Sequence, residues 1–427
     1  MKKGIINKEV FGWAMFDFAN SSYTTIIITT IFSTYFVNVV VGENTGTFWW
    51  GLTLSISYLL VALSSPIVGA IADYSGSKKK FLFYFFLVCI IFTFLLFFVG
   101  KGDLYMGMLF VIVSNVGFAM GENLISSFLP EIASSKDIGM VSGFGWSFGY
   151  IGGILSLIGS LIILMNLDDK IFASRLTILF TAIFFAVSVV PTFVWLKDRS
   201  EKHRLNGMSE YFKVGYNRLI NTFHHVKIFK DLMKLLLAYF FYFAGLTVII
   251  SFSAIFAESA YKFSKEELIL LIIFVNTTAS IGAFVFGFVQ DKIGAKLTLI
   301  FTLILWIITI SLIYFIDGKL WFWILANVAG IGLGSTQSAT RAMVGLFSPK
   351  PKLAEFYGFW GFFGKLSSIL GPITFGLLSN FNSSKYNLKS DLKFALLSAL
   401  VFFIIGFVIL FLVNEKEGIR QAQAYKD

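Results

Sequence analysis

The sequence predicts an all-α, polytopic membrane protein: twelve transmembrane helices in two pseudo-symmetric six-helix bundles, with both termini in the cytoplasm. Three observations predict it. The 427 residues are 57% hydrophobic and only 14% charged, whereas water-soluble domains are about 45–50% apolar and about 25% charged. Apolar stretches of the roughly 20 residues needed to cross a bilayer follow one another along the chain. One loop sequence occurs twice, once in each half.

Runs such as Phe81 to Val99 are apolar throughout. This excludes the alternation of a barrel strand and leaves helices, which satisfy their own backbone in hydrocarbon. The helices are expected at 10–41, 47–72, 81–100, 104–129, 138–165 and 171–196, then at 233–257, 266–290, 297–316, 319–346, 355–380 and 392–413. The first follows Met1-Lys2-Lys3, which resembles the charged start of a signal peptide. The apolar stretch behind it is too long, holds Asp17 and shows no small-residue cleavage site, so it is expected to stay as a membrane helix.

With the N-terminus inside, 23 Lys and Arg fall in cytoplasmic segments and nine in outer loops, the bias that sets orientation. The same bias, together with anionic lipid headgroups, accounts for the net charge of +10 without a nucleic-acid partner. The single cysteine, Cys89, excludes an intrachain disulfide. His203, His224 and His225 all lie in the central loop, so no metal site or histidine-based catalysis is expected in the membrane, and the chain is not expected to be an enzyme. No cofactor is expected either. The stretch G-F-F-G-K-L-S from Gly361 to Ser367 has the wrong glycine spacing for a phosphate loop.

The longest loop divides the chain into 1–196, a linker over 197–232, and 233–427. Within the linker, Phe212, Tyr216, Leu219, Ile220 and Phe223 recur at helical spacing, with Lys213, Asn217, Arg218 and Asn221 opposite. That pattern predicts an amphipathic helix on the cytoplasmic face, a lateral strut between the halves.

The loop after the second helix reads G-A-I-A-D-Y-S-G-S-K-K-K from Gly69 to Lys80, and the loop after the eighth reads G-F-V-Q-D-K-I-G-A-K from Gly287 to Lys296. Both fit G-x-x-x-D-x-x-G-x-K, with Asp73 and Asp291 218 residues apart, and the same offset carries Gly143 to Gly361 and Gly153 to Gly371. Several matches at one offset indicate a duplicated six-helix unit. Glycine permits the tight turn, and the aspartate is placed to face the positive end of a neighbouring helix and its unpaired N–H groups. Gly69, Asp73, Gly76, Lys78, Asp291 and Gly294, with Arg341 and Glu355, are therefore the candidate cytoplasmic gate.

Six plus six helices, a long central loop and this repeated loop resemble the major facilitator superfamily. The resemblance covers essentially the whole chain and implies two bundles rocking about a central cavity. A narrower resemblance rests on W-A-M-F-D-F-A-N-S-S-Y (Trp13 to Tyr23), L-P-E-I-A (Leu129 to Ala133), V-S-G-F-G-W-S-F-G-Y-I-G-G (Val141 to Gly153), G-L-G-S-T-Q-S-A-T-R (Gly332 to Arg341), and A-E-F-Y-G with G-K-L-S-S-I-L-G-P between Ala354 and Pro372. Together these resemble the bacterial branch of the vacuole-effluxer family, whose fungal member exports amino acids from the vacuole. The seventh helix departs from the family pattern, with Ala244 in F-Y-F-A-G where an acidic residue is usual; Thr340 replaces a serine before Arg341.

Ionisable groups in hydrocarbon cost several kcal/mol and face a cavity or a partner. They are Asp17, Glu122, Arg341 and Lys365, accompanied by Asn20, Asn115, Asn123, Asn276 and Gln337. Asp17, Asn20 and Thr24 share one helix face by their spacing. The resemblance implies that helices 1, 4, 7 and 10 line the cavity. Asp17, Asn20, Thr24, Glu122, Asn123, Gln337 and Lys365 are thus the candidate substrate or proton pathway. Asp17 and Glu122 are expected to carry protons or bind a cationic group, and Lys365 to attract a substrate carboxylate or neutralise an acid. The alternative is a static ion pair fastening helices together.

The expected activity is secondary active transport of a small polar solute, most plausibly an amino acid, by a monomer in the bacterial inner membrane. Efflux and proton coupling are favoured. The alternatives are uptake or facilitated passage of a peptide, sugar, nucleoside or lipid, or a non-transporting sensor or scaffold on the same fold.

Overall fold

The computed structural model describes residues 5–199, 208–224, 228–381 and 388–425. Met1 to Lys3, His203 and His225 of the sequence reading lie outside them. Among the described residues the chain is helical and contains no strand. The long helices are α1 (Lys8–Val41), α2 (Glu43–Ser75), α3 (Lys78–Leu95), α4 (Leu104–Ser126), α5 (Ile138–Asn166) and α6 (Lys170–Trp195). After a linker helix (Met208–His224) come α7 (Lys230–Tyr261), α8 (Lys265–Ile293), α9 (Ala295–Phe315), α10 (Lys319–Phe347), α11 (Leu353–Phe381) and α12 (Leu388–Phe411). A short amphipathic helix, Glu415–Ala424, follows.

Among the described residues, eleven helices are long and apolar enough to cross a bilayer. α10 has 29 residues but lies outside that set. Its length suffices, but Asn327, Ser335, Thr336, Gln337, Ser338, Thr340 and Arg341 make it too polar.

Local chemistry sets the helix ends. Asn7 caps α1 by accepting the N–H groups of Glu9 and Val10 at 2.9 and 3.0 Å. Ser264 and Glu267 form a reciprocal capping box at α8. Gly76 ends α2 in the left-handed region (φ 58°), where a side chain would be strained. Val189 interrupts α6 just before Pro191, which lacks the N–H needed to continue it. α1 is irregular. It is α-helical to Tyr23, a π-helix over Thr24–Thr30, α-helical over Ile31–Tyr35, and π-helical again over Phe36–Val41. The Thr29 and Thr30 hydroxyls donate to the carbonyls of Thr24 and Thr25, five residues back, at 2.8 and 2.5 Å.

The chain forms two compact units. Unit 1 comprises residues 1–133, 148–219 and 352–361; unit 2 comprises 134–147, 220–351 and 362–427. In unit 1, antiparallel α1 and α4 are pinned by Trp13 Nε1 donating to the Ile125 carbonyl (2.7 Å) and by Tyr23 Oη against Ser114 Oγ (2.8 Å). Parallel α2 and α4 carry two buried rungs, Asn115 Nδ2 to Ser57 Oγ (2.7 Å) and Asn123 Nδ2 to Ser65 Oγ (3.0 Å). Such interhelical bonds contribute about 0.6 kcal/mol each within membranes. The glycines of α5 allow close approach to α1, since a Cβ on Gly152 would collide with the Phe18 carbonyl.

Unit 2 uses the same device between α8 and α10. A Cβ on Gly334 would strike the Ala279 carbonyl, and one on Gly282 would meet Ile331. Trp306 stacks on Phe403 with ring centroids 5.1 Å apart. Tyr242 Oη lies 2.7 Å from Thr340 Oγ1, joining α7 to α10.

The linker helix lays Gly215 against Ile67 and Ile71 of α2. Gly215 is buried and Arg218 half-buried, three residues on, while Tyr216 is 61% exposed.

Candidate functional site

The two repeated loops place their aspartates on helix N-termini. Asp73, at the end of α2, accepts the backbone N–H of Glu355 in the first turn of α11 at 2.8 Å. Asp291, at the end of α8, accepts the N–H groups of Gly139 and Met140 in the first turn of α5 at 2.8 and 2.9 Å. Each pair belongs to one unit, the first to unit 1 and the second to unit 2. A carboxylate here satisfies donors that have no partner within the helix and meets the positive end of its dipole.

Glycine makes room for both contacts. A Cβ on Gly69 would collide with the Ala354 carbonyl, and one on Gly139 would sit 2.8 Å from the Gly287 carbonyl. Gly294 turns the chain between α8 and α9 at φ 93°.

The basic and acidic residues around these contacts are buried. Glu355 is fully buried, with Lys352 Nζ at 3.6 Å and Arg218 Nε at 3.7 Å. Lys78, also fully buried, pairs with Glu131 and lies over the Phe128 ring at 5.0 Å. Arg341 is 2% exposed. Its Nε donates to Ser142 Oγ (3.2 Å), its Nη2 donates to the Ser142 carbonyl (2.9 Å), and its guanidinium lies 5.2 Å from the Trp146 ring. A charge removed from water at this cost persists only where several partners hold it.

The second group lies along the helices. Asp17 and Asn20 are buried on α1, and Thr24, half-buried, begins the first π-helical stretch with its hydroxyl donating to the Ser21 carbonyl at 3.1 Å. Glu122 is half-buried on α4, beside buried Asn123. The pins at Trp13–Ile125 and Tyr23–Ser114 fix the antiparallel register, and a Cβ on Gly121 would meet the Phe16 ring at 3.1 Å. Asp17 and Glu122 therefore lie within one turn of the same depth along the α1–α4 pair. Asn123 is committed elsewhere, to Ser65 of α2, and packs against Gly361 of α11. Gln337 on α10 and Lys365 on α11, both half-buried, belong to unit 2. Among the described residues no group of three or more His, Cys, Asp or Glu is gathered to hold a metal ion.

Sequence reasoning missed several partners. Glu131 and Ser142, which holds Arg341, sat in the quoted L-P-E-I-A and V-S-G-F-G-W motifs without a role. Asp198 and Glu415 were legible in principle. They stand 217 residues apart, and each accepts N–H groups from the first turn of α3 or α9.

Residues 37–139 and 135–423 match the family described as vacuole effluxer Atg22 like. The chain is 27% identical to the uncharacterized MFS-type transporter YxiO of Bacillus subtilis (strain 168), over 98% of both chains. It is 24% identical to autophagy-related protein 22 of Kluyveromyces lactis, covering 87% of this chain and 80% of that one. The fold is similar to the human organic anion transporter MFSD10 (TM-score 0.75, 12% identity, 94% and 99% coverage). It is also similar to the proton:xylose symporter XylE (TM-score 0.73, 13% identity, 98% of each chain). YxiO, MFSD10 and XylE are transporters by name, a non-enzymatic class. The chain is a multi-pass membrane protein of the major facilitator fold, and it belongs to the Atg22-like vacuole effluxer family.

Proposed function

We propose that this chain exports a small polar solute, an amino acid, across the bacterial cytoplasmic membrane in exchange for protons. α10 is then the twelfth span, its polarity explained by a face turned to solute rather than lipid, and both termini are cytoplasmic. The observation that carries the reading is the level placement of Asp17 and Glu122 on α1 and α4, two carboxylates inside spans where an idle charge is costly. A carboxylate there takes up a proton or an ammonium group. Lys365, on α11, is the group proposed to attract a solute carboxylate. The name of the matched family, vacuole effluxer, supports export.

In this reading the aspartate-to-helix contacts at Glu355 and at Gly139 and Met140 are gate contacts, made in one state of the transport cycle and released in another. Solute and proton bias that equilibrium only through unequal affinity for the two states. The experiment is a thermal-shift screen of purified protein against the amino acids, with sugars, nucleosides and dipeptides alongside. A ligand of the folded state raises the melting temperature. Stabilisation by amino acids that Asp17→Asn and Lys365→Ala abolish is the expected result. Stabilisation by another class, insensitive to both changes, overturns the substrate assignment.

A further inference from the structure

We propose that Arg218, on the linker helix, is a positioning residue for the transport cycle: it completes the charge balance around Glu355 that keeps the N-terminus of α11 on Asp73. The proposal rests on the gate reading above and goes beyond it, because it gives the linker a part in closing the gate.

Four observations meet at one place in unit 1. The linker helix lies directly on α2, since a Cβ on Gly215 would meet Ile71 Cγ1 at 2.8 Å and Ile67 Cγ2 at 3.2 Å. One turn further on, the Arg218 guanidinium lies 5.7 Å from the ring of Tyr74, the residue after Asp73. Its Nε reaches Glu355 Oε2 at 3.7 Å, with Lys352 Nζ at 3.6 Å on the same oxygen. The Glu355 backbone N–H is the group that Asp73 accepts. One residue of α11 is thus gripped twice, its N–H by α2 and its side chain by the linker.

The charges decide what this does. Asp73 and Glu355 bring two carboxylates together; Lys352 and Arg218 face Glu355, and Lys78 lies near Asp73. Glu355 is fully buried, and a buried carboxylate without enough positive charge nearby is strongly unfavourable. Without Arg218, the first turn of α11 carries an acid it keeps buried only at a cost, and moving away from α2 relieves it. With Arg218 in place, Glu355 keeps both of the cations that face it. Seating the linker helix and closing the gate are then one event.

The test uses full-length protein in detergent, with buried Cys89 changed to alanine and a reporter cysteine at Ala354, which is 2% exposed and whose carbonyl packs on Gly69. The rate of maleimide labelling reports how often α11 leaves α2. Arg218→Gln is expected to raise the rate several-fold, and Arg218→Lys to keep it within about twofold of the parent. Arg218→Gln with Glu355→Gln is expected to bring it back, because the unbalanced acid is gone while the N–H contact to Asp73 remains. Asp73→Asn is the control for the gate itself.

Labelling at the parent rate in Arg218→Gln, with faster labelling in Asp73→Asn, overturns the role of Arg218 and leaves the gate reading standing. Parent rates in both variants overturn the two together. Fast labelling in Arg218→Gln that the second substitution does not reverse also overturns the proposal, because Arg218 then acts through something other than Glu355. Melting temperatures of each variant separate gate opening from loss of fold.

Discussion

Asp198 and Glu415, 217 residues apart, hold the same position in the two units. Asp198 Oδ2 accepts the N–H of Lys79 at 3.3 Å, and Glu415 accepts those of Ala295 and Lys296 at 2.8 and 3.3 Å. The lysines answer in kind: Lys79 Nζ donates to the Leu196 carbonyl (2.6 Å) and Lys296 Nζ to the Phe411 carbonyl (2.9 Å). The start of α3 is thereby tied to the end of α6, and the start of α9 to the end of α12. Each tie satisfies helix-end groups that would otherwise need water.

Asp198→Asn and Glu415→Gln should therefore each destabilise the protein by about 1 kcal/mol, the usual worth of a charged helix cap. The two staples belong to different units and share no partner, so the double variant should show the sum within about 0.5 kcal/mol. Thermal melting of the four proteins in one detergent is the measurement.

Asp291→Asn and Asp73→Asn should weaken their contacts alike, since Asp73 accepts the N–H of Ala354 as well as that of Glu355. Asp291 accepts two N–H groups with two oxygens, and asparagine offers only one acceptor and turns a donor toward the other. A loss of about 1.4 kcal/mol, tenfold in an equilibrium, is expected for Asp291→Asn. Proteoliposome transport of the ligand found by thermal shift measures it.

The Lys78–Glu131 pair predicts a non-additive result. Lys78→Met leaves Glu131 at 12% exposure facing an apolar group, and should cost about 3 kcal/mol. Lys78→Met with Glu131→Leu should recover most of that loss, since removing both charges removes the desolvation burden. A denaturation series of the two variants against the parent checks the sign.

Gly334→Val should be among the most damaging single changes in unit 2. Its methyl groups would enter the Ala279 carbonyl, forcing α10 from α8 at a cost of about 1–3 kcal/mol or more. Gly376→Val tests the contrast, because nothing lies within 4 Å of a Cβ at Gly376. Expression and melting temperature of the pair should diverge.

Much of this fold was legible because hydropathy alone separates lipid-facing runs from loops. The reading of α1 from residue 10 and of α7 from 233 meets helices that start at Lys8 and Lys230. α10 was expected at 319–346 as one of the successive apolar stretches, although its composition sets it apart from the other spans. The contacts of Asp73 and Asp291 with helix N-termini were legible where the repeat marked them. Contacts were illegible where a partner is chosen by tertiary structure. Nothing near Lys78 points to Glu131, and nothing in the linker's apolar spacing marks Gly215 as the residue laid on Ile67 and Ile71. The π-helical stretches of α1 left no mark either, since T-T-I-I-I-T-T contains neither glycine nor proline to announce a break.

Those stretches bear on how this helix tolerates insertion and deletion. A hydrogen bond that spans five residues instead of four encloses one residue more for the same turn. Thr24–Thr30 is therefore, geometrically, an ordinary turn holding a surplus residue, accommodated by the Thr29 and Thr30 hydroxyls. Deleting Ile28 would let an ordinary turn close while leaving Asp17 and Asn20 on one side, and Phe32 on the other, facing as they do now. A deletion at Ala19, in the regular part of the helix, would instead swing every later side chain round by about 100°. The chain is thus most forgiving of changes in length right beside the residues whose orientation matters most.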